Sequence, residues 1–224
     1  MDELATALAQ VEMDPAVCAV IFSGSGKSFS TGVDVAAHTA EQVPLMLEKF
    51  HRIIRALVTS KKVTIASVHG QCLGGAAELA MMCDLVYTTD DAQWGFPEIR
   101  LGCFPPVAAS ALSALVGQKC ATELILTGRT ISGSEAARMG IANRAVPADE
   151  LSRVVEDAAG TLGALSPATL AIARKAIYTW DFVHFDKGLA RAEKLYMDEL
   201  MKTEDAIEAI QAFIQKRAPR WKGR

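Results

Sequence analysis

The stretch GQCLGGAAELAMMCD, residues 70–84, decides how the rest of the chain is read. It joins a short apolar run, Val63–Val68, to a helix-like run beginning at Ala76, and Gly74 and Gly75 fill the turn between them. Two residues without a Cβ let another molecule approach the backbone closely. The N–H groups that open a helix have no internal partner and sit at the positive end of its dipole, so this turn suits an oxygen carrying negative charge. Glu78 lies almost one helical turn beyond Gly75, and Glu98 follows in WGFPE, residues 94–98. Two carboxylates near an anion-binding backbone point to acid/base chemistry. The same residues also occur without chemistry, because a glutamate complements a helix start and a Pro-Glu pair suits an exposed turn.

On either side of this stretch the pattern alternates. Val17–Ser23 is a continuous apolar run that reads as a strand buried on both faces, and Leu85–Thr89 reads as another strand. Residues 2–13 carry Leu4, Leu8 and Val11 at helical spacing up to Asp14-Pro15, and residues 41–59 carry Leu47, Phe50, Ile54 and Leu57 on one helical face with Pro44 in the first turn. From Pro106 onward the pattern is helical: Ser132 and Glu135 form a capping box for a helix ending at Gly140, and Ser166-Pro167 and Thr203 open later ones. Ile141–Val146 is the last strand candidate, and residues 149–217 are amphipathic helix. Strands alternating with helices make an α/β chain. Periodicity does not choose between a doubly wound sheet and other α/β arrangements.

The 224 residues suffice for one sizeable core. Half are apolar, 22% are charged and the formal net charge is -3, so no basic surplus points to nucleic acid. Cys18, Cys72, Cys83, Cys103 and Cys120 lie mostly within apolar runs without C-x-x-C spacing, which fits small core residues of a reducing, cytoplasmic compartment. His38, His51, His69 and His184 lack metal-ligand spacing, and no apolar run has the length of a membrane span. GSGKS, residues 24–28, is not a phosphate loop: the glycine required five residues before Gly26 is Ile21. The dinucleotide fingerprint fails too, with Phe29 in its last position.

Residues 70–84 followed by QWGFPEIRLGCFP resemble the enoyl-CoA hydratase/isomerase (crotonase) family. Upstream GSGKSFSTGVDV and downstream LTGRTISGSEAARMGIANRAVP and AIQAFIQKRAPRWKGR extend the likeness to nearly the whole chain. The resemblance implies a spiral of strand-strand-helix turns over residues 1–148 and a helical oligomerisation region over 149–224, built into trimers or hexamers. It implies that the family's N-terminal strand hairpin is absent here, which puts part of the nucleotide pocket in question. It assigns the oxyanion hole to the N–H groups of Val33 and Gly75 and acid/base catalysis to Glu78 and Glu98. Gly74, Trp94, Phe96 and Pro106 are expected against the acyl group, and Phe213 and Lys216 against coenzyme A. The implied partner is an acyl-CoA thioester, with coenzyme A as part of the substrate and no separate cofactor or metal. Having both glutamates favours water addition to a 2-enoyl thioester; an isomerase and a non-catalytic thioester-binding member are the alternatives. IRLGCFPPVA, residues 99–108, looks like the cyclohexa-1,5-diene-1-carbonyl-CoA hydratases of the family, with Trp94 and Phe96 either lining an alicyclic pocket or belonging to the core. Ala36 stands where many hydratases carry a basic residue.

Overall fold

The computed structural model describes the backbone of residues 1–224 and every side chain except those of 179–183. After an opening helix, α1 (Asp2–Met13), the chain winds through two sheets. The first contains β1 (Ala19–Ser23), β2 (Val63–Val68), β4 (Leu85–Thr89) and β7 (Arg144–Val146), in the order β1-β2-β4-β7 and parallel throughout. The second contains β3 (Gln71–Leu73), β5 (Gln93–Gly95) and β6 (Thr130–Ser132), with β3 parallel and β6 antiparallel to β5. Each turn of the chain lays a strand in the first sheet, a short strand in the second, and then a helix: α2 (Val43–Thr59) after the first turn, α3 (Gly75–Met81) after the second. Ser30, which bridges to Cys72, is the first turn's contribution to the second sheet. The result is the expected α/β spiral.

The corners are made where backbones of successive turns touch. Gly70, with φ of 59°, takes the chain from β2 to β3, and a Cβ there would stand 2.1 Å from the carbonyl oxygen of Lys27 in the preceding turn. Phe29 N donates to His69 O at 2.7 Å and Gln93 N to Gly70 O at 2.8 Å, so three consecutive corners stack through their main chains. Parallel strands covered by helices produce continuous apolar runs, and β2 is buried along nearly all its length. The apolar face of α2, with Phe50, Ile53, Ile54 and Leu57, closes the core against Ala66, Val68, Ala77, Ala80, Trp94 and Phe96.

β1 departs from expectation. It is an edge strand paired only with β2, and Ile21 is 45% exposed, so it is buried on one face rather than two. An apolar run reports β-branched content, not the number of neighbours. The run Ile141–Val146 is also shorter as a strand than its composition suggests. Gly140 adopts φ of 92° and the N–H groups of Ile141 and Ala142 both donate to Ala136 O, which closes the preceding helix α6 (Gly133–Met139) and leaves only Arg144–Val146 for the sheet.

Helices α4 (Pro106–Val116) and α5 (Gln118–Thr127) precede β6; α7 (Leu151–Gly163), α8 (Pro167–Asp198) and α9 (Glu204–Ile214) follow β7. Ser132, Ser166 and Thr203 cap α6, α8 and α9 through their hydroxyls, as their sequence context predicts. Only half of the Ser132 capping box closes, because the Glu135 carboxylate pairs with Arg129 at 2.8 Å. The 32-residue α8 is fastened to the spiral by Arg174. Its guanidinium grips Asp84 at 2.8 and 3.0 Å and donates to the carbonyls of Leu57, Val58 and Ser60 at the end of α2, while lying over the Tyr178 ring. Among the described residues, no helix is long and apolar enough to cross a membrane.

Candidate active site

Besides α2, which contributes Met46, Leu47 and Phe50, four segments converge beside the start of α3. The first runs from Thr31 to His38, the second is the turn at Gly74-Gly75 with Glu78. The third runs from the 3-10 turn at Pro97–Leu101 to the start of α4, and the fourth is the last part of α8. They enclose a cavity of about 80 Å³, against about 10–15 Å³ needed for one water, so water fits there. Its walls are apolar apart from a few groups, which include both glutamates, His38 and Tyr196.

Gly74 makes the turn possible. Its φ of 57° and ψ of -131° are accessible only to glycine without strain, and a Cβ on it would lie 2.9 Å from Oε1 of Glu98. The absent side chain is the space in which the Glu98 carboxylate rests. The Thr31–Val33 loop abuts the same turn: Val33 Cγ2 would be 3.1 Å from a Cβ on Gly75, and a Cβ on Gly32 would be 3.1 Å from Gly75 N. Gly32 N donates to Ser30 Oγ at 3.2 Å and Gly74 N to Gly95 O at 2.9 Å. Among the described residues, the next N–H in each segment, on Val33 and on Gly75, makes no hydrogen bond within the chain. Two free donors thus stand side by side, one opening a helix.

Glu78 is buried in the first turn of α3, where its Oε1 accepts from the N–H groups of Val107 and Ala108 at 2.8 and 2.9 Å. These are unpaired donors at the start of α4, presented because Pro106 occupies the first helical position. They fix the carboxyl group and leave Oε2 for the cavity. Burial raises the Glu78 pKa, the charge of Glu98 raises it further, and the two N–H groups pull it partly back. Burial likewise raises Glu98, whose Oε2 has no hydrogen-bond partner among the described residues. Burial and mutual repulsion disfavour two full charges here, which suits a pair with one acid protonated and one ionised. His38 bonds the Asp34 carbonyl through Nδ1, and burial lowers its pKa against the opposing pull of that bond.

Of the residues expected at the site, Val33, Gly74, Gly75, Glu78, Glu98 and Pro106 line this cavity. Trp94 and Phe96 do not. Both are 1% exposed in the main core, and Trp94 donates through Nε1 to Thr88 Oγ1 at 3.0 Å. Alternate residues share a face of extended chain, so once Trp94 turns into the core Phe96 follows. Phe213 and Lys216 sit at the exposed end of α9, outside the cavity of this single chain. Sequence reasoning missed Tyr196, whose place in the cavity depends on how α8 folds back, and missed the two backbone donors to Glu78. The Pro105-Pro106 pair was the available signal for those donors.

A family model described as enoyl-CoA hydratase/isomerase matches residues 1–224. The cyclohexa-1,5-dienecarbonyl-CoA hydratase of Thauera aromatica is 36% identical over 215 residues, covering 94% of this chain and 81% of that protein. The short-chain-enoyl-CoA hydratase of Clostridium acetobutylicum is 33% identical over 223 residues, covering 97% and 85%. Among solved structures, an enoyl-CoA hydratase from Mycobacterium avium subsp. paratuberculosis K-10 superposes with a TM-score of 0.88 at 25% identity, covering 98% of this chain and 86% of that one. An enoyl-CoA hydratase/isomerase from Xanthobacter autotrophicus Py2 gives 0.87 at 30% identity, covering 96% and 82%. With its spiral fold and a family match from end to end, this chain belongs to the enoyl-CoA hydratase/isomerase family.

Proposed function

We propose that this protein adds water to 2-enoyl-CoA thioesters, with Glu78 and Glu98 as its acid/base pair and the N–H groups of Val33 and Gly75 as its oxyanion hole. Water bonds through oxygen to the β-carbon, and the displaced π electrons pass to the thioester oxygen. That oxygen then bears the developing negative charge, beside two preorganised donors in a water-poor site. One carboxylate takes the proton that water loses, and the other, protonated, delivers its proton to the α-carbon. The sequence is redox-neutral and every proton is accounted for. One observation carries the reading: two buried carboxyl groups with raised pKa share a single cavity with two unpaired backbone donors.

The test is hydration of straight-chain, branched and cyclic dienoyl-CoA thioesters, followed by loss of absorbance from the C=C conjugated with the thioester and by product analysis. Glu78→Gln and Glu98→Gln are each expected to lower kcat by about 10²–10⁴ while thioester affinity stays within a few-fold. Full activity in either variant removes that residue from the mechanism.

Within this class we assign a cyclic dienoyl thioester as the first substrate to try, on the similarity to the Thauera aromatica enzyme and the apolar wall of Met46, Leu47, Leu101 and Phe104. Binding of coenzyme A by Phe213 and Lys216 is part of the proposal, through a neighbouring subunit of a trimer or hexamer. Exposed Leu165, Ile172 and Ile177 support such an assembly. The five free cysteines support a reducing, cytoplasmic compartment.

A further inference from the structure

Tyr196 reaches the cavity from α8, more than a hundred residues along the chain from Glu78. Its ring packs on Phe104 with centroids 5.2 Å apart, and Val43, Met46, Leu47, Cys103 and Met201 complete the apolar cluster around it. The residue is 1% exposed, yet among the described residues its hydroxyl has no hydrogen-bond partner. The Cys103 thiol touches the hydroxyl, but this is a weak sulfur contact that falls short of hydrogen-bond geometry, and the thiol donates to the Leu101 carbonyl at 3.4 Å. An unpaired buried hydroxyl is destabilising, and phenylalanine would fill the same space without that cost. Packing therefore accounts for the ring and leaves the oxygen unexplained.

The neighbours of that oxygen suggest its use. Burial, the Cys103 thiol and the charges of Glu98 and Glu78 all push the phenol pKa upward, so it remains a neutral donor within electrostatic reach of both glutamates. The ionised glutamate is an acceptor, and the protonated one, its O–H directed at the α-carbon, still accepts through its carbonyl oxygen. A water held between them gives its hydrogens to them and is left with two lone pairs, one to attack carbon and one in need of a donor. We propose that the Tyr196 hydroxyl supplies that donor, hydrogen-bonding the oxygen that becomes the β-hydroxyl of the product. This rests on the hydratase reading of the site and adds to it a contact specific to the β-oxygen. It follows that a 3-hydroxyacyl thioester gains a hydrogen bond that the saturated acyl thioester of equal length lacks.

The test compares the unmutated protein with Tyr196→Phe. Calorimetry with 3-hydroxybutyryl-CoA and butyryl-CoA is expected to show a preference for the hydroxy thioester that falls about tenfold in the variant, with butyryl-CoA affinity unchanged. On crotonyl-CoA, kcat falls about tenfold with KM within twofold, while Tm holds or rises because an unpaired polar group has been removed. An unchanged preference, or a loss of both affinities together with Tm, overturns the proposal. Tyrosine labelled with carbon-13 at Cζ gives a readout without mutation: one of the three tyrosine resonances should move with 3-hydroxybutyryl-CoA and stay with butyryl-CoA. If the unmutated protein binds both thioesters but hydrates none, the hydratase reading fails while the affinity ratio still decides the role of Tyr196. If it binds neither, both fail together.

Discussion

Gly74 shows how much of the site one missing Cβ controls. Alanine there must adopt φ of 57° and would press on the Glu98 carboxylate from 2.9 Å. Gly74→Ala should therefore cost about 1–2 kcal/mol of stability and, by shifting an acid by a fraction of an ångström or more, about 10²-fold in kcat. Turnover per folded molecule checks this, and normal turnover would mean that Glu98 needs no fixed seat. The two acids also tie stability to pH. Their folded-state pKa values are raised, so the native protein keeps protons that the unfolded chain has released, and stability declines as pH rises above the ordinary glutamate range. Glu98→Gln removes one such group, so thermal melts at about pH 5 and pH 8 should show its Tm gaining on the unmutated protein at the higher pH. A constant difference would mean that Glu98 ionises normally. Glu78, Glu98 and the glycine pair were legible in the sequence because they share one short stretch and its neighbourhood. Tyr196 was not, since no local pattern marks a tyrosine whose oxygen matters, and Trp94 and Phe96 misled because an aromatic pair near a site looks the same whichever way it faces.

At the level of elements, the long helices and their caps were legible because each signal lies within a turn of the residue it affects. Ser132, Ser166, Thr203 and Pro167 act where their sequence context puts them. β3, β5 and β6 were invisible, being three residues each, too short to display a period, and held by corner contacts between distant turns. The Arg174 clasp was equally hidden, since Asp84 is ninety residues away. That clasp is expected to matter more than its exposed counterparts. Arg174→Met should cost about 3–5 kcal/mol, because it strands a buried carboxylate and the last carbonyls of α2 together. Denaturant unfolding measures this, and a loss under about 1 kcal/mol would class the pair with surface ion pairs. Replacing the exposed Arg52, paired with Glu48 within α2, provides the contrast.

For the whole molecule, the spiral was legible through family likeness, not through periodicity, which left several α/β arrangements open. The boundary drawn at residue 148 marks where strands end, but Arg174 and Tyr196 cross it to reach the spiral and its cavity. Exposed Ile172 and Ile177, at 71% and 69%, leave apolar surface on α8 that an assembly would cover. Ile172→Asp combined with Ile177→Asp should turn a trimer-based species into monomer by light scattering at micromolar concentration, with far-UV circular dichroism unchanged. A monomer before mutation would end the assembly proposal.

The cavity draws its lining from Thr31 to Tyr196, whereas the last strand is complete at Val146. On the ribosome, every strand has therefore been synthesised several seconds before Tyr196, which completes the lining, at about 5–20 residues per second. Competence is acquired late, by closure of a long loop and not by formation of secondary structure. In refolding from denaturant, helical signal should return in an early phase and turnover in a later one, with a nascent chain halted before α8 structured and inert.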